Sequence, residues 1–149
     1  MEINSLYQVY FNCELKTKEG VHSFISEIVC QDNPLQKEEV IHLLNEREKV
    51  GSTLIAEHVM LPHIESNQLK KSQILFIRLA NPIPLWDYQT KDICLLIVIL
   101  LKANESVQIK KELSLFTRTL ADEEYLNRLL NSCEKEHFIK EILKKLEEL

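Results

Sequence analysis

The strongest pattern in the chain is the run at residues 93–101, Ile-Cys-Leu-Leu-Ile-Val-Ile-Leu-Leu. It is apolar, partly β-branched and without alternation, which predicts a central strand buried on both faces. Residues 6–15 are rich in aromatic and β-type side chains, and residues 73–80 read Gln-Ile-Leu-Phe-Ile-Arg-Leu-Ala; both predict strands. Over residues 16–30 the period changes. Val21, Phe24, Ile25, Ile28 and Val29 recur at helical spacing behind Thr17, a candidate N-cap. His22 falls off that stripe and reads as a solvated helix residue. Asn33 and Pro34 predict the opening of a second helix, Asn33 as cap and Pro34 at the first helical position. Its apolar stripe is Val40, Leu43 and Leu44, and Lys49 with Gly51 marks its stop.

Residues 53–61 read as a turn followed by a short strand that Pro62 ends, because proline removes a backbone donor. His63 is then expected at a strand end, outside the ladder, where a partner can reach it. Residues 64–72 read as a polar loop. Residues 81–89 hold two prolines, the only Trp and a Tyr, and read as a turn-rich connection. A helix is expected over residues 103–120, with Asn104 as candidate cap and Ile109, Leu113, Phe116 and Leu120 on one face. A short helix follows from Ala121 and Asp122, and a last one from about Glu134, with Phe138, Ile139, Ile142, Leu143 and Leu146 turned inward. Strands alternating with helices predict an α/β layered sandwich. Its sheet is expected to be mixed and mostly parallel, with helices on both faces, within one domain spanning residues 1–149.

Composition narrows the chemistry. At 149 residues the chain can bury a real core, and 45% apolar with 28% charged residues is ordinary for a soluble globular protein. The net charge of −5 argues against a nucleic-acid surface on this domain and suits a basic patch on a protein partner. With only Gly20 and Gly51 in the chain, neither a P-loop nor a dinucleotide fingerprint can be built. The cysteines, Cys13, Cys30, Cys94 and Cys133, have no zinc-site or Cys-x-x-Cys spacing; Cys30 and Cys94 read as buried thiols in a reducing compartment. His58 and His63 would face opposite sides of an extended segment, so no metal site is expected. No cofactor is expected either. There is no signal pattern, and the apolar run at 93–101 is far too short to span a bilayer. The expectation is a cytoplasmic protein without membrane insertion.

The candidate site lies in residues 47–65, from a helix end through a Gly turn to Pro62 and His63. His63 is the candidate nucleophile, because imidazole is largely neutral near pH 7 and reactive through a ring nitrogen. Arg47 can present a planar fork to phosphoryl oxygens, or serve as a cation at a helix C-terminus. Ser52 and Thr53 can donate hydroxyl hydrogen bonds to the same group, or do turn and capping work. Glu65 has no assigned role. His58 reads as core or edge packing, and His42 and His137 as helix-surface residues without a partner.

The same segment resembles the active-site stretch of the enzyme IIA domains of the bacterial sugar phosphotransferase system, fructose/mannitol class. The resemblance rests on Arg47-Glu48, Ser52-Thr53 and the run from Val59 to Pro62-His63. It extends through Leu113-Ser114, Phe116-Thr117-Arg118 and residues 120–124, in order along nearly the whole chain. It implies an α/β sandwich and a phosphotransferase activity in which His63 accepts a phosphoryl group from the histidine-containing phosphocarrier protein HPr and passes it to an enzyme IIB. In this alignment Ile109 takes the position of the family's second active-site histidine, and Ile64 replaces the glycine that often follows Pro-His. Galactitol-type members resemble this chain in lacking the second histidine. So do enzyme IIA-like domains of transcriptional activators, whose Pro-Ile…Trp segment is similar to residues 81–86. Three readings follow: a phosphocarrier, a regulatory module phosphorylated as a signal, and an interaction module without phosphotransfer.

Overall fold

The computed structural model describes all 149 residues, Met1–Leu149. The chain forms two compact units, Met1–Asn104 and Glu105–Leu149. The first holds β1 (Tyr7–Cys13), α1 (Lys18–Asp32), α2 (Lys37–Val50), β2 (Leu54–Ala56), β3 (Val59–Met60), β4 (His63–Ser66), β5 (Gln73–Leu85) and β6 (Lys91–Lys102). The second holds α3 (Val107–Thr119), α4 (Glu123–Asn131) and α5 (Lys135–Glu147). The fold is α/β with a mixed six-stranded sheet, in the order β1-β5-β6-β3-β2 with β4 also on β6. Three pairings are parallel (β1–β5, β3–β6, β4–β6) and two antiparallel (β2–β3, β5–β6).

The apolar run at 93–101 is the heart of the sheet. Its strand, β6, pairs with β5 on one side and with β3 and β4 on the other, and Leu95, Leu96, Ile97 and Val98 are wholly buried. In the first unit the core joins Val21, Ile25 and Val29 of α1, Val40 and Leu44 of α2, and the sheet residues Leu75, Ile77, Leu96, Val98 and Leu100. Thr17 caps α1 as its sequence suggests, its hydroxyl accepting from Gly20 N at 3.0 Å.

Several expectations need correction. The second helix does not open at Asn33 and Pro34. Asn33 is extended, as a residue before proline must be, and so ends the first helix. Its amide donates to Val29 O at 2.9 Å and accepts from Lys70 N at 2.8 Å. Helix α2 starts at Lys37, where Gln36 N donates to Glu39 Oε1 at 3.4 Å. The two prolines of residues 81–85 lie inside β5, not in a loop. Register with β1 ends at Cys13 and Leu79, and only β6 pairs with β5 beyond a bulge, so Pro82 and Pro84 occupy a free edge that needs no donors.

Residues 64–66 are strand, not loop, and His63 starts that strand inside the ladder, not at the end of one outside it. Across Leu61 and Pro62 the register on β6 is unchanged: Met60 faces Leu96 and His63 faces Ile99. Pro62 interrupts the ladder without ending it, since its carbonyl still accepts from Ile99 N at 2.9 Å. His22 is buried, not solvated, and Cys30 and Cys94 are only half-buried. His58 sits in the β2–β3 turn with φ +73°, its Nδ1 2.7 Å from Asp92 O. His137 has a partner, Glu141 Oε1 at 3.6 Å.

In the second unit Ser106, not Asn104, caps α3 by accepting from Ile109 N at 3.2 Å, and Asn104 turns the chain ahead of it with φ +59°. The short helix expected from Ala121 and Asp122 is α4, and Asp122 caps it, accepting from Tyr125 N at 3.2 Å. Its other oxygen meets Lys145 Nζ of α5 at 2.7 Å, above a buried set that includes Tyr125, Leu129, Phe138 and Ile142.

Because Leu96 is fully buried on the sheet's most paired strand, Leu96→Ala is expected to cost about 2–5 kcal/mol, read as a lowered urea midpoint at unchanged slope.

Candidate functional site

The turn after α2 and the restart of the parallel ladder at β4 bring two side chains together that lie sixteen residues apart. Arg47 Nε donates to His63 Nδ1 at 3.3 Å. Arg47 stands in the last turn of α2, and its Nη1 donates to Gly51 O, just past the helix end, at 2.9 Å. The guanidinium is thus held at two points, and two of its five N–H donors are used. Gly51 itself is extended, and a side chain there would meet nothing, so the turn does not demand glycine for space.

His63 and Glu65 alternate with buried Ile64 along β4, so both face outward on the same side of the strand. Burial of part of the ring, and then the Arg47 cation, hold the His63 imidazole below its ordinary value, while Glu65 opposes them. The ring is therefore neutral at pH 7, and Nδ1 is the acceptor in its contact with Arg47. Neither the cleft of about 600 Å³ beside Glu48 and Tyr88 nor that of about 580 Å³ beside Leu35 and Glu65 is lined by His63 or Arg47. The imidazole is exposed.

The two hydroxyl residues separate. Ser52 is exposed, and its Oγ accepts from Leu54 N at 3.1 Å, a turn bond that leaves its own proton uncommitted. Thr53 is 4% exposed, and its Oγ1 has no hydrogen-bond partner. Its carbonyl accepts from Leu61 N at 2.8 Å, between β3 and β4 and two residues before His63. A buried hydroxyl without a partner is costly. Between Arg47 and the β2–β3 hairpin the chain also exposes Val50, Leu54 and Ile55. Ile109 lies in the first turn of α3 in the second unit, half-exposed, with no donor or acceptor on its side chain. The sequence pointed to no role for Glu48, yet its carboxylate joins three other side chains; their residues are far apart in the chain and no local pattern unites them.

Residues 2–145 match the family described as phosphoenolpyruvate-dependent sugar phosphotransferase system, EIIA 2. A nitrogen regulatory protein of Escherichia coli (strain K12) is 28% identical over 116 residues, covering 76% of this chain and 71% of that protein. Two solved structures share the fold. The nitrogen regulatory protein IIA-Ntr from Neisseria meningitidis superposes with a TM-score of 0.75 at 19% identity, covering 95% of this chain and 96% of that one. Enzyme IIA-mannitol from Escherichia coli, solved in complex with phosphorylated enzyme IIB-mannitol, gives 0.68 at 21% identity, covering 97% and 100%.

Since the folded chain holds the imidazole value down, lowering the pH through about 6.5 protonates the unfolded chain first, and stability falls until the lower native value is passed. Arg47→Ala is expected to move the His63 titration upward, toward that of free imidazole, in a ¹⁵N NMR pH series. Burial remains in the variant, so the return is partial.

Proposed function

We propose, since the chain belongs to the EIIA 2 family of the phosphoenolpyruvate-dependent sugar phosphotransferase system, that His63 is its phosphoryl acceptor. The observation that carries this reading is the exposed, neutral imidazole held 3.3 Å from the Arg47 guanidinium. The donor is phospho-HPr. As a P–N bond forms to His63, the P–N bond to the donor histidine breaks, and the donor nitrogen leaves with the bonding pair. The phosphoryl group carries its three oxygens across unchanged. In the second half-reaction the P–N bond to His63 breaks and a P–S bond forms to a cysteine of an enzyme IIB.

Little covalent chemistry is asked of the chain itself; positioning and charge stabilisation do most of the catalysis. Arg47 has three uncommitted N–H donors for the equatorial oxygens. Thr53, with its orphaned hydroxyl, and Ser52, with its free proton, are the further candidates to stabilise them. The exposed apolar residues 50, 54 and 55 add surface suited to a protein donor. No helix is long and apolar enough to cross a membrane, which fits a domain that works from the cytoplasm beside a separate permease component.

A second reading has its own support. The nitrogen regulatory relatives cover most of this chain, and Ile109, where the resemblance places the family's second histidine, has no donor or acceptor on its side chain. In that reading the same phosphohistidine is a signal, and the added charge of about −2 alters a protein contact through Arg47.

Incubation with enzyme I, HPr and phosphoenolpyruvate is expected to add one phosphoryl group by intact mass, and none to His63→Ala. Arg47→Ala is expected to slow the addition roughly 10- to 150-fold, the loss of one charge-assisted contact of about 1.5–3 kcal/mol. Chase of the label onto an enzyme IIB marks a carrier; retention marks a signal. No adduct on the wild type overturns both and leaves an interaction module.

A further inference from the structure

One cluster of side chains in the first unit takes no part in the contact with His63. Its centre is the carboxylate of Glu48, the residue after Arg47. Trp86 Nε1 donates to Glu48 Oε1 at 2.9 Å, and His22 Nε2 lies 3.7 Å from the same oxygen. Lys18 Nζ lies 3.1 Å from Oε2. His22 and Trp86 are buried and meet edge to face, with ring centroids 5.7 Å apart. Burial pulls the Glu48 carboxyl upward, but the contacts with His22, Lys18 and Trp86 together outweigh it and hold the group below its ordinary value. It is an anion at neutral pH, set among donors from α1 and from the end of β5.

The last turn of α2 has little else to hold it. The buried side chains of the helix are Val40 and Leu44. Beyond Leu44 no apolar side chain is buried, and Val50 is 84% exposed. Lys49 pairs with Glu46 of the same helix at 2.8 Å, which ties the turn to nothing outside it. Arg47 reaches Gly51 O, again local, and His63. Apart from the Arg47–His63 contact itself, the side-chain bonds that fasten this turn to another element all end on Glu48. Successive helix residues point roughly 100° apart, so a Glu48 anchored toward α1 and Trp86 turns Arg47 toward a different neighbour, the start of β4.

We infer that Glu48 is a positioning residue for the phosphoryl-transfer site, fixing the last turn of α2 so that the Arg47 guanidinium meets His63 and the incoming phosphoryl oxygens. This rests on the reading of His63 as phosphoryl acceptor. Glu48 touches neither group; it acts through Arg47.

The test is a double-mutant cycle on the full chain, with Glu48→Ala and Glu48→Gln each made in wild-type and Arg47→Ala backgrounds. Phosphorylation by phospho-HPr is followed as kcat and KM separately, and His63 is titrated by ¹⁵N NMR. Glu48→Ala is expected to lower kcat roughly ten- to hundredfold with KM for the donor unchanged, and to move the His63 titration upward. Glu48→Gln keeps an acceptor for Trp86 and is expected to recover much of kcat. In the Arg47→Ala background Glu48→Ala is expected to change neither reading. Equal losses in both backgrounds, or full kcat in a folded Glu48→Ala chain, overturn the inference. If Glu48→Ala does not fold, Glu48→Gln and Trp86→Phe carry the same cycle with a smaller expected effect. If the wild type takes no phosphoryl group, the reading of His63 falls. The titrations alone then decide whether Glu48 positions Arg47, and an unmoved His63 titration overturns it.

Discussion

The contact from Arg47 Nε to His63 Nδ1, 3.3 Å long, joins a helix end to a strand start, and most of the first unit is arranged so that it can form. An Arg side chain is long and rich in rotamers, and on an open surface its ordering is costly in entropy. Three fixed features reduce that cost. The bond from Nη1 to Gly51 O closes the guanidinium over its own helix terminus. The Glu48 cluster fastens the turn from behind. The unbroken register of β3 and β4 on β6 sets where the imidazole stands. That last feature depends in turn on the apolar run of β6. A slip of one residue there would send Ile64 outward and His63 inward.

What the sequence made legible follows from the range over which each signal acts. The strand at 93–101 was plain because nine apolar residues in a row suit few other structures. The cap at Thr17 was plain because capping is decided within four residues. His63 and Arg47 were legible as candidates through hydroxyl, guanidinium and imidazole types gathered near one turn. Their mutual contact was not, since it depends on a sheet register set by residues some 36 positions further on.

The errors share a physical origin. Asn33 and Pro34 have the form of a helix start, but the same pair equally well ends the helix before it, because proline forces Asn33 to be extended. Pro82 and Pro84 have the form of a loop, yet a strand whose neighbour has stopped has an edge where missing donors cost nothing. Residues 64–66 read as part of a polar loop, although Ile64 between His63 and Glu65 already carries the alternation of a half-buried strand. His22 read as solvated because its partners, Glu48 and Trp86, are distant in sequence and make a buried imidazole tolerable. For Pro82, Pro84 and His22 a tertiary neighbour, present or missing, changed the meaning of a local pattern.

The charges around His63 bear on how such a site would work. A phosphohistidine there would bring about two negative charges. Arg47 supplies one positive charge in direct contact, and Glu65, facing outward on the same side of β4, subtracts from it. The phosphorylated site would therefore be left with uncompensated negative charge. Under the phosphoryl-acceptor reading, that imbalance is useful: it keeps the phosphoryl group from resting too stably on His63, and a basic face on the partner can supply the missing compensation during transfer. A chain with net charge −5 attracts such a face at a distance. The same imbalance would make the phosphorylated and unphosphorylated surfaces differ strongly to any partner, which is what a signal requires. Under the phosphoryl-acceptor reading the electrostatics would serve carrier and signal alike, and the distinction between them would pass to the partner that receives the group.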